Sequence, residues 1–186
     1  VVGEVVKLRQ KLNWYESKPL FGKRVVVTRS RDQASVFAEM LIDRGATTIE
    51  FPTIDVVPPA SWAELDSALQ MIETFNWIIF TSANAVKYFM ERLRGLGKDL
   101  RILKGVNICT VGPKTAELLE QYGLRADLIP VEFKAEGVVA ALGGVAVKGL
   151  KFLIPRAKTA REIIPDKLRE QGADVTVATA YENVRP

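Results

Sequence analysis

An α/β fold of two parallel-sheet lobes is the architecture this sequence predicts, and three observations predict it. Trp77-Ile78-Ile79-Phe80 runs straight into the polar turn Thr81-Ser82, after which Ala85, Val86, Phe89, Met90 and Leu93 recur at helical spacing. That is a strand buried on both faces, a tight turn and an amphipathic helix. Val106 to Val111, Gly112 and Pro113 repeat the pattern. Ala116, Leu118, Leu119 and Tyr122 form the apolar face of this second helix, and proline takes its first position. The third observation is an internal echo. A shift of 127 positions lays Arg29 on Arg156, Leu41 on Leu168, Gly45 on Gly172 and Ala46 on Ala173 without a gap. Two related strand–helix–strand halves follow, each with an arginine at a strand exit.

The elements can be justified in order. Residues 1–16 read as the tail of something upstream: Val5, Leu8 and Leu12 give a brief helical face, and Ser17-Lys18-Pro19 breaks it. Residues 17–52 read as a fragment of lobe 1. Lys23 to Arg29 is a buried strand, Ser30-x-x-Gln33 a capping box, and Phe37, Met40 and Leu41 the apolar stripe of a helix closed by Gly45. Thr47 to Phe51 is the next strand, stopped by Pro52. One such unit cannot cover both faces of its own sheet, so lobe 1 is expected to be incomplete and the chain to continue beyond Pro186.

Residues 53–58 alternate polar and apolar, as do residues 176–183. The two stretches are expected to pair as a two-stranded ladder that joins the lobes, with Tyr181 near the cleft. Residues 59–175 make lobe 2. Ser61-x-x-Glu64 opens a helix with Leu65, Leu69 and Ile72 inward. The two units described first come next, then a short helix from Glu136 to Leu142. Lys151 to Arg156 is a strand with arginine at its exit, Thr159-x-x-Glu162 caps the following helix, and a strand begins at Val175.

Composition excludes several functions. The 186 residues contain no histidine, which removes Ser–His–Asp and Cys–His catalysis and HExxH zinc sites. A single cysteine, Cys109, falls inside an expected strand and leaves no internal disulfide or multi-cysteine metal site. No Walker lysine loop and no G-x-G-x-x-G occurs. Net charge is +4, with both signs mixed along the helices rather than in blocks, so no nucleic-acid footprint is expected. No apolar run is long enough to cross a membrane. The N-terminus lacks the basic, apolar, small-residue order of a secretory signal, and a cytoplasmic protein is expected.

The candidate site residues cluster at strand exits, where α/β sheets bind ligands. Thr81, Ser82 and Asn84 offer two hydroxyls and an amide beside the N–H groups of a helix start, suited to a carboxylate or phosphate; Ser82 can equally be a plain helix cap. Lys114 and Thr115 lie in the first turn after Gly112. A lysine there opposes the helix dipole, so either a bound anion or solvent must compensate it. Arg29 and Arg156 are candidates for the same reason, or else solvated helix-start residues.

Taken as an ordered set, Val27-Thr28-Arg29, Phe51-Pro52, Phe80-Thr81-Ser82-Ala83-Asn84-Ala85-Val86, Val111-Gly112-Pro113-Lys114-Thr115-Ala116, Ile154-Pro155-Arg156 and Ala180-Tyr181 resemble uroporphyrinogen-III synthase. Residues 1–16 resemble the end of a uroporphyrinogen-III C-methyltransferase. The resemblance implies two flavodoxin-like lobes with the active site between them. It implies cyclisation of hydroxymethylbilane to uroporphyrinogen III with inversion of ring D and loss of water, in tetrapyrrole biosynthesis. It implies no cofactor and no metal, and a fused or neighbouring C-methyltransferase as partner. Tyr181 matches the tyrosine credited in that family with helping the hydroxyl leave; without the resemblance it reads as a ladder tyrosine packing its ring. By the same matching, Thr81, Ser82 and Asn84 hold one carboxylate, Gly112, Lys114 and Thr115 another, and Thr28, Arg29 and Arg156 stand at the cleft rim. The family carries second copies of the Thr-Ser and Gly-x-x-Thr-Ala turns, expected beyond Pro186, so residues 1–186 by themselves are expected to be inactive or nearly so. The competing readings are a non-catalytic two-lobed module that binds a small ligand, and a nucleotide or flavin domain, which the absent glycine loops oppose.

Overall fold

Four consecutive buried residues, Trp77–Phe80, form strand β4, an inner strand of a five-stranded sheet. The computed structural model describes residues 13–144 and 146–186, with the backbone alone for residues 31–33. The expected tail at residues 1–16 therefore lies mostly outside the described residues. In chain order the elements are β1 (Arg24–Val27), α1 (Arg31–Ile42), β2 (Thr47–Glu50), β3 (Asp55–Val57), α2 (Ala63–Gln70), β4, α3 (Ala83–Gly95), β5 (Asn107–Thr110), α4 (Pro113–Gln121), α5 (Ala135–Leu142), β6 (Lys151–Ala157), α6 (Ile163–Glu170) and β7 (Asp174–Val184). Short 3-10 turns occupy Ile72–Thr74 and Leu100–Leu103. None of the described helices is long and apolar enough to cross a membrane.

The chain divides into two units, residues to Val56 with Val184–Pro186, and Val57–Asn183. In the first unit β1 and β2 form a parallel pair with Arg24 opposite Thr47 and Val27 opposite Glu50. Helix α1 turns Ala34 and Ala38 inward, while Phe37 and Met40 face out. The sequence expectation of a Phe37–Met40–Leu41 stripe is thus corrected. Two adjacent stripes are apolar here, and the one made of alanines is buried, because small side chains let the helix lie close to its sheet.

In the second unit the sheet order is β3-β7-β6-β4-β5. Strands β4 and β5, β4 and β6, and β6 and β7 pair in parallel. The chain moves from β4 out to β5, then returns to the other side of β4 to lay down β6. Helix α3 packs against β4 and β6, with the Phe80 and Phe89 rings edge to face at 5.2 Å. On the opposite face Val138 and Leu142 of α5 and Ile164 and Leu168 of α6 meet Ile79, Cys109, Phe152 and Ile154. Each such buried side chain contributes about 2 kcal/mol. Cys109 is fully buried, and burial pushes its thiol up to about 12. Beside it, Asp127 accepts the Ile108 N–H at 2.7 Å, which covers part of the edge of β5.

The two stretches expected to pair are neighbours, β3 lying beside β7, but as part of the five-stranded sheet rather than as a separate two-stranded ladder. Residues 176–183 are the body of β7, an eleven-residue strand paired with β6 from Asp174 to Tyr181, and β3 is the outer strand of the same sheet. The alternation of residues 53–58 marked a strand but said nothing of how many strands lay beyond its neighbour.

Candidate active site

Between β4 and β6 the strand order reverses direction, and in open parallel sheets ligands bind at the carboxyl ends of the strands at such a reversal. A cavity of about 240 Å³ opens there. Thr81 at the end of β4, Val111 at the end of β5 and Ile154 and Arg156 of β6 line it, with Phe133 and Lys134 before α5 and Arg161, Ile164 and Pro165 around the start of α6. Its walls are largely apolar and its charges are cationic. That combination suits a flat apolar body carrying carboxylates.

Lys134 reaches the cavity because the loop 131–134 folds tightly over α5. A side chain at Gly137 would overlap the Glu132 carbonyl, so only glycine permits this approach. Glu132 pairs with Lys134 at 2.8 Å, and this contact raises the lysine above its ordinary value.

Tyr181 and Ser82 form a second group. The Tyr181 hydroxyl lies 3.1 Å from Ser82 Oγ, and Ser82 Oγ also accepts the Ala85 N–H at 3.1 Å, capping α3. The Tyr181 ring stacks on Tyr88 at 5.9 Å with 16° between planes. A bulge sets this up. Arg156 pairs with Thr179, but Ala157 pairs with Tyr181, so Ala180 is the extra residue. The inserted residue shifts the alternation of β7 and re-aims the tyrosine. Ser82 therefore has both roles open to it in the sequence: helix cap, and neighbour of the candidate acid. Neither Tyr181 nor Ser82 lines the cavity just described.

Arg156 lies inside β6 and is buried, which removes the reading of a solvated helix-start residue. Its Nη1 donates to the Arg161 carbonyl at 3.1 Å, and its Nη2 donates to the Glu162 carboxylate. The expected capping box at Thr159–Glu162 does not form. Helix α6 starts at Ile163, and Glu162 occupies the cap position without a side-chain bond to it, because the guanidinium takes its carboxylate. The box at Ser61–Glu64 fails in the same manner. Ser61 Oγ accepts the Ala63 N–H at 3.2 Å, but Glu64 accepts the Thr179 N–H of β7 at 2.9 Å. That bond, with the charge of Arg156 as a lesser cause, holds the Glu64 carboxyl below its ordinary value. At the third box Ser30 precedes α1 with no side-chain bond.

The remaining candidates are placed as follows. Gly112 precedes Pro113 at the start of α4, and the ring of Phe133 packs over it. Thr115 is buried in the first turn of α4. Lys114 points to solvent and pairs with Glu117 at 3.3 Å, so its conflict with the helix dipole is relieved by an acidic neighbour. Asn84 sits in the first turn of α3, half-buried. Thr28 and Arg29 follow β1 in the first unit; Thr28 accepts from Thr53, and the Arg29 guanidinium lies 5.3 Å from the centre of the Phe37 ring. The sequence did not single out Phe133, Lys134, Arg161 or Tyr88. The Val131-Glu132-Phe133-Lys134 stretch carried a usable signal: an aromatic and a lysine just ahead of a helix whose first turn contains glycine.

A family model described as "Uroporphyrinogen-III synthase HemD" matches residues 35–186. A uroporphyrinogen-III synthase from Synechococcus elongatus is 42% identical over 170 residues, covering 91% of this chain and 64% of the relative. The chain thus spans a little under two thirds of that relative's length. A Bacillus subtilis uroporphyrinogen-III C-methyltransferase is 33% identical over 103 residues, 55% of this chain and 20% of that protein. The crystal structure of a uroporphyrinogen III synthase mutant from Thermus thermophilus superposes with a TM-score of 0.68 at 17% identity, covering 89% of this chain and 64% of the other, which fixes the fold. With the parallel sheet, the strand-exit turns and a family match over most of its length, the chain belongs to the uroporphyrinogen-III synthase family.

Proposed function

We propose that the protein catalyses the cyclisation of hydroxymethylbilane to uroporphyrinogen III, with inversion of ring D and loss of water. The observation that carries this reading is the 42% identity to the Synechococcus synthase across 91% of the chain. The geometry adds to it. Loss of the hydroxyl from a hydroxymethylpyrrole needs a proton at the leaving oxygen. Tyr181 is a buried phenol held by Ser82 and Tyr88, and a phenolic O–H is a hydrogen-bond donor. The C–O bond breaks, the phenol proton leaves with the hydroxyl as water, and the pyrrole nitrogen supplies electrons to the cation left behind. The substituted carbon of ring D attacks that cation to give a spiro intermediate. Rearrangement to the ring-closed product releases a proton, which restores the phenol. Directing attack to that carbon is a matter of holding one conformer, and donors gripping acetate and propionate groups do this. Thr28, Arg29, Thr81, Asn84, Gly112, Lys114, Thr115 and Arg156 are the residues we assign to binding these carboxylates.

Because the chain spans 64% of its Synechococcus relative, the reaction is assigned to the protein at its relatives' full length, and residues 1–186 alone are expected to turn over slowly or not at all. The reading puts the reaction in the cytoplasm, where a polycarboxylate intermediate stays, next to or fused with a C-methyltransferase that consumes the product. The similarity to the Bacillus methyltransferase supports that partner, and a methyltransferase reading frame adjoining the natural gene is its test. For the reaction, hydroxymethylbilane is given to full-length protein and the isomers are separated. Type III product above the spontaneous type I background is expected; its absence overturns the function. Tyr181→Phe should lower type III turnover by roughly a hundredfold while melting within a few degrees of wild type. An unchanged rate removes Tyr181 from the mechanism.

A further inference from the structure

We propose that Glu162 is a place-holding carboxylate: it pairs with the Arg156 guanidinium, and a carboxylate of an acidic pyrrole entering the cavity displaces it. The identity of the ligand rests on the function proposed above; the exchange itself rests on three observations. First, the two partners differ in access. The Arg156 side chain is 10% exposed and that of Glu162 is 50% exposed, so the arginine is fixed in the wall while the glutamate can swing out into water. Second, the displaced carboxylate has somewhere to go. Glu162 stands at the cap position of α6, where a carboxylate satisfies backbone N–H groups and complements the helix dipole, and its side chain makes no such bond at present. Third, the arginine has capacity for a ligand. A guanidinium has five N–H donors. Arg156 donates to the Arg161 carbonyl and the Glu162 carboxylate.

The surroundings favour a carboxylate over other ligands. Lys134 and Arg161 share the cavity with Arg156, and Val111, Ile154, Ile164 and Phe133 supply an apolar floor for a ring. Glu64 feels the charge of Arg156 but is held by the Thr179 N–H of β7, so it does not compete for the position. A nearly buried guanidinium without a counter-ion is costly, and pairing with Glu162 removes that cost. It also sets a threshold: a weakly held anion does not displace an attached carboxylate, whereas one tethered to a ring that fills the apolar floor does.

The probe is porphobilinogen, a single pyrrole with one acetate and one propionate, titrated calorimetrically into the whole chain, with its dimethyl ester as control. Glu162→Gln keeps the shape and removes the competing charge, and should tighten binding roughly two- to fivefold, the range for a partly exposed ion pair. Arg156→Gln should abolish binding, and adding Glu162→Gln to it should restore nothing. In wild type, the Arg156 Nε–H resonance, assigned by its loss in Arg156→Lys, should move on adding the probe and not on adding the ester. Glu162→Asp, too short to span the contact, gives a second variant with the same expected sign. Unchanged or weaker binding in both Glu162 variants overturns the proposal, as does a failure of porphobilinogen to bind any form. If the exchange is seen while full-length protein makes no type III isomer, the function fails and the place-holder stands.

Discussion

Val26 and Leu153 hold equivalent places in two strand–helix–strand units, yet Val26 is 55% exposed and Leu153 is fully buried. The units, residues 24–50 and 151–177, share one frame. Arg24 pairs with Thr47 as Lys151 pairs with Asp174, and the match runs to Val27–Glu50 and Ile154–Val177. The Thr47 N–H donates to the Lys23 carbonyl and the Asp174 N–H to the Leu150 carbonyl, both at 2.9 Å. Ala46 bonds back to Leu41 and Ala173 to Leu168, both at 3.0 Å, past glycines at φ 92° and 85°. What differs is company. Among the described residues, strands β1 and β2 are a sheet of two, whereas β6 and β7 sit among five. Local sequence writes the strand–helix–strand frame and its left-handed glycine; the number of neighbouring strands decides which of its faces leave water. The two arginines show the functional side of this. Arg29 lies exposed over Phe37, while Arg156, at the same place in the frame, is buried in a cavity wall and paired with the exposed Glu162.

Substitution at matched positions can break or sharpen the contrast. The largest expected difference is between the leucines. Leu168→Ala should cost about 3 kcal/mol, as a fully buried leucine does, and Leu41→Ala, only partly buried, under about 1 kcal/mol. Denaturant titration of both variants measures it, and equal costs would mean the first unit is packed as tightly as the second. Gly45→Ala and Gly172→Ala should each cost on the order of 1–2 kcal/mol, Gly45→Ala the more. Both have positive φ, but an added Cβ at Gly45 would meet Lys18 Cβ at 2.9 Å and the Phe21 backbone at 3.1 Å, whereas at Gly172 it would meet the flexible Lys148 side chain at 3.1 Å. A neutral Gly45→Ala would show that the shared frame is not under the same constraint in both places.

The smallest effect concerns a contact that only the second unit can make. Thr179 donates its N–H to Glu64, whereas its counterpart, Pro52, has no N–H to give. Glu64 is held below its ordinary value of 4.5 by that bond. A carboxyl lowered in the folded state contributes stability above its unfolded pKa, and loses it as pH falls through the folded one. Melting temperature should therefore fall less steeply below pH 4.5 in Glu64→Gln than in wild type. Parallel acid limbs would remove the contact from the stability of the protein.

Much of the fold was legible because it is written locally. The run Trp77–Phe80, the inward face of α3, the proline opening α4, the two glycine stops and the burial of Cys109 all follow from periodicity and turn chemistry. The failures share a cause as well. Capping boxes at Ser61 and Thr159 had the right spacing, but Glu64 is claimed by a strand 115 residues away and Glu162 by a buried arginine. Neither competitor is visible within a four-residue window. The bulge at Ala180 was hidden because alternation carries no mark of the partner strand's register. Of the candidate site, the strand-exit turns could be read as donors, and the tyrosine only through the family resemblance. The cavity could not be read, since the loop 131–134 and the start of α6 meet β6 only in three dimensions.

Cys109 has a practical consequence. It is the one thiol in 186 residues, in the middle of β5, and the upward displacement of its titration to about 12 leaves almost no reactive thiolate at neutral pH. An alkylating reagent must wait for that strand to open before it can react. The speed of labelling is then a clock for breathing of the larger sheet, already installed, silent about β1 and β2, and needing no engineered label to be read.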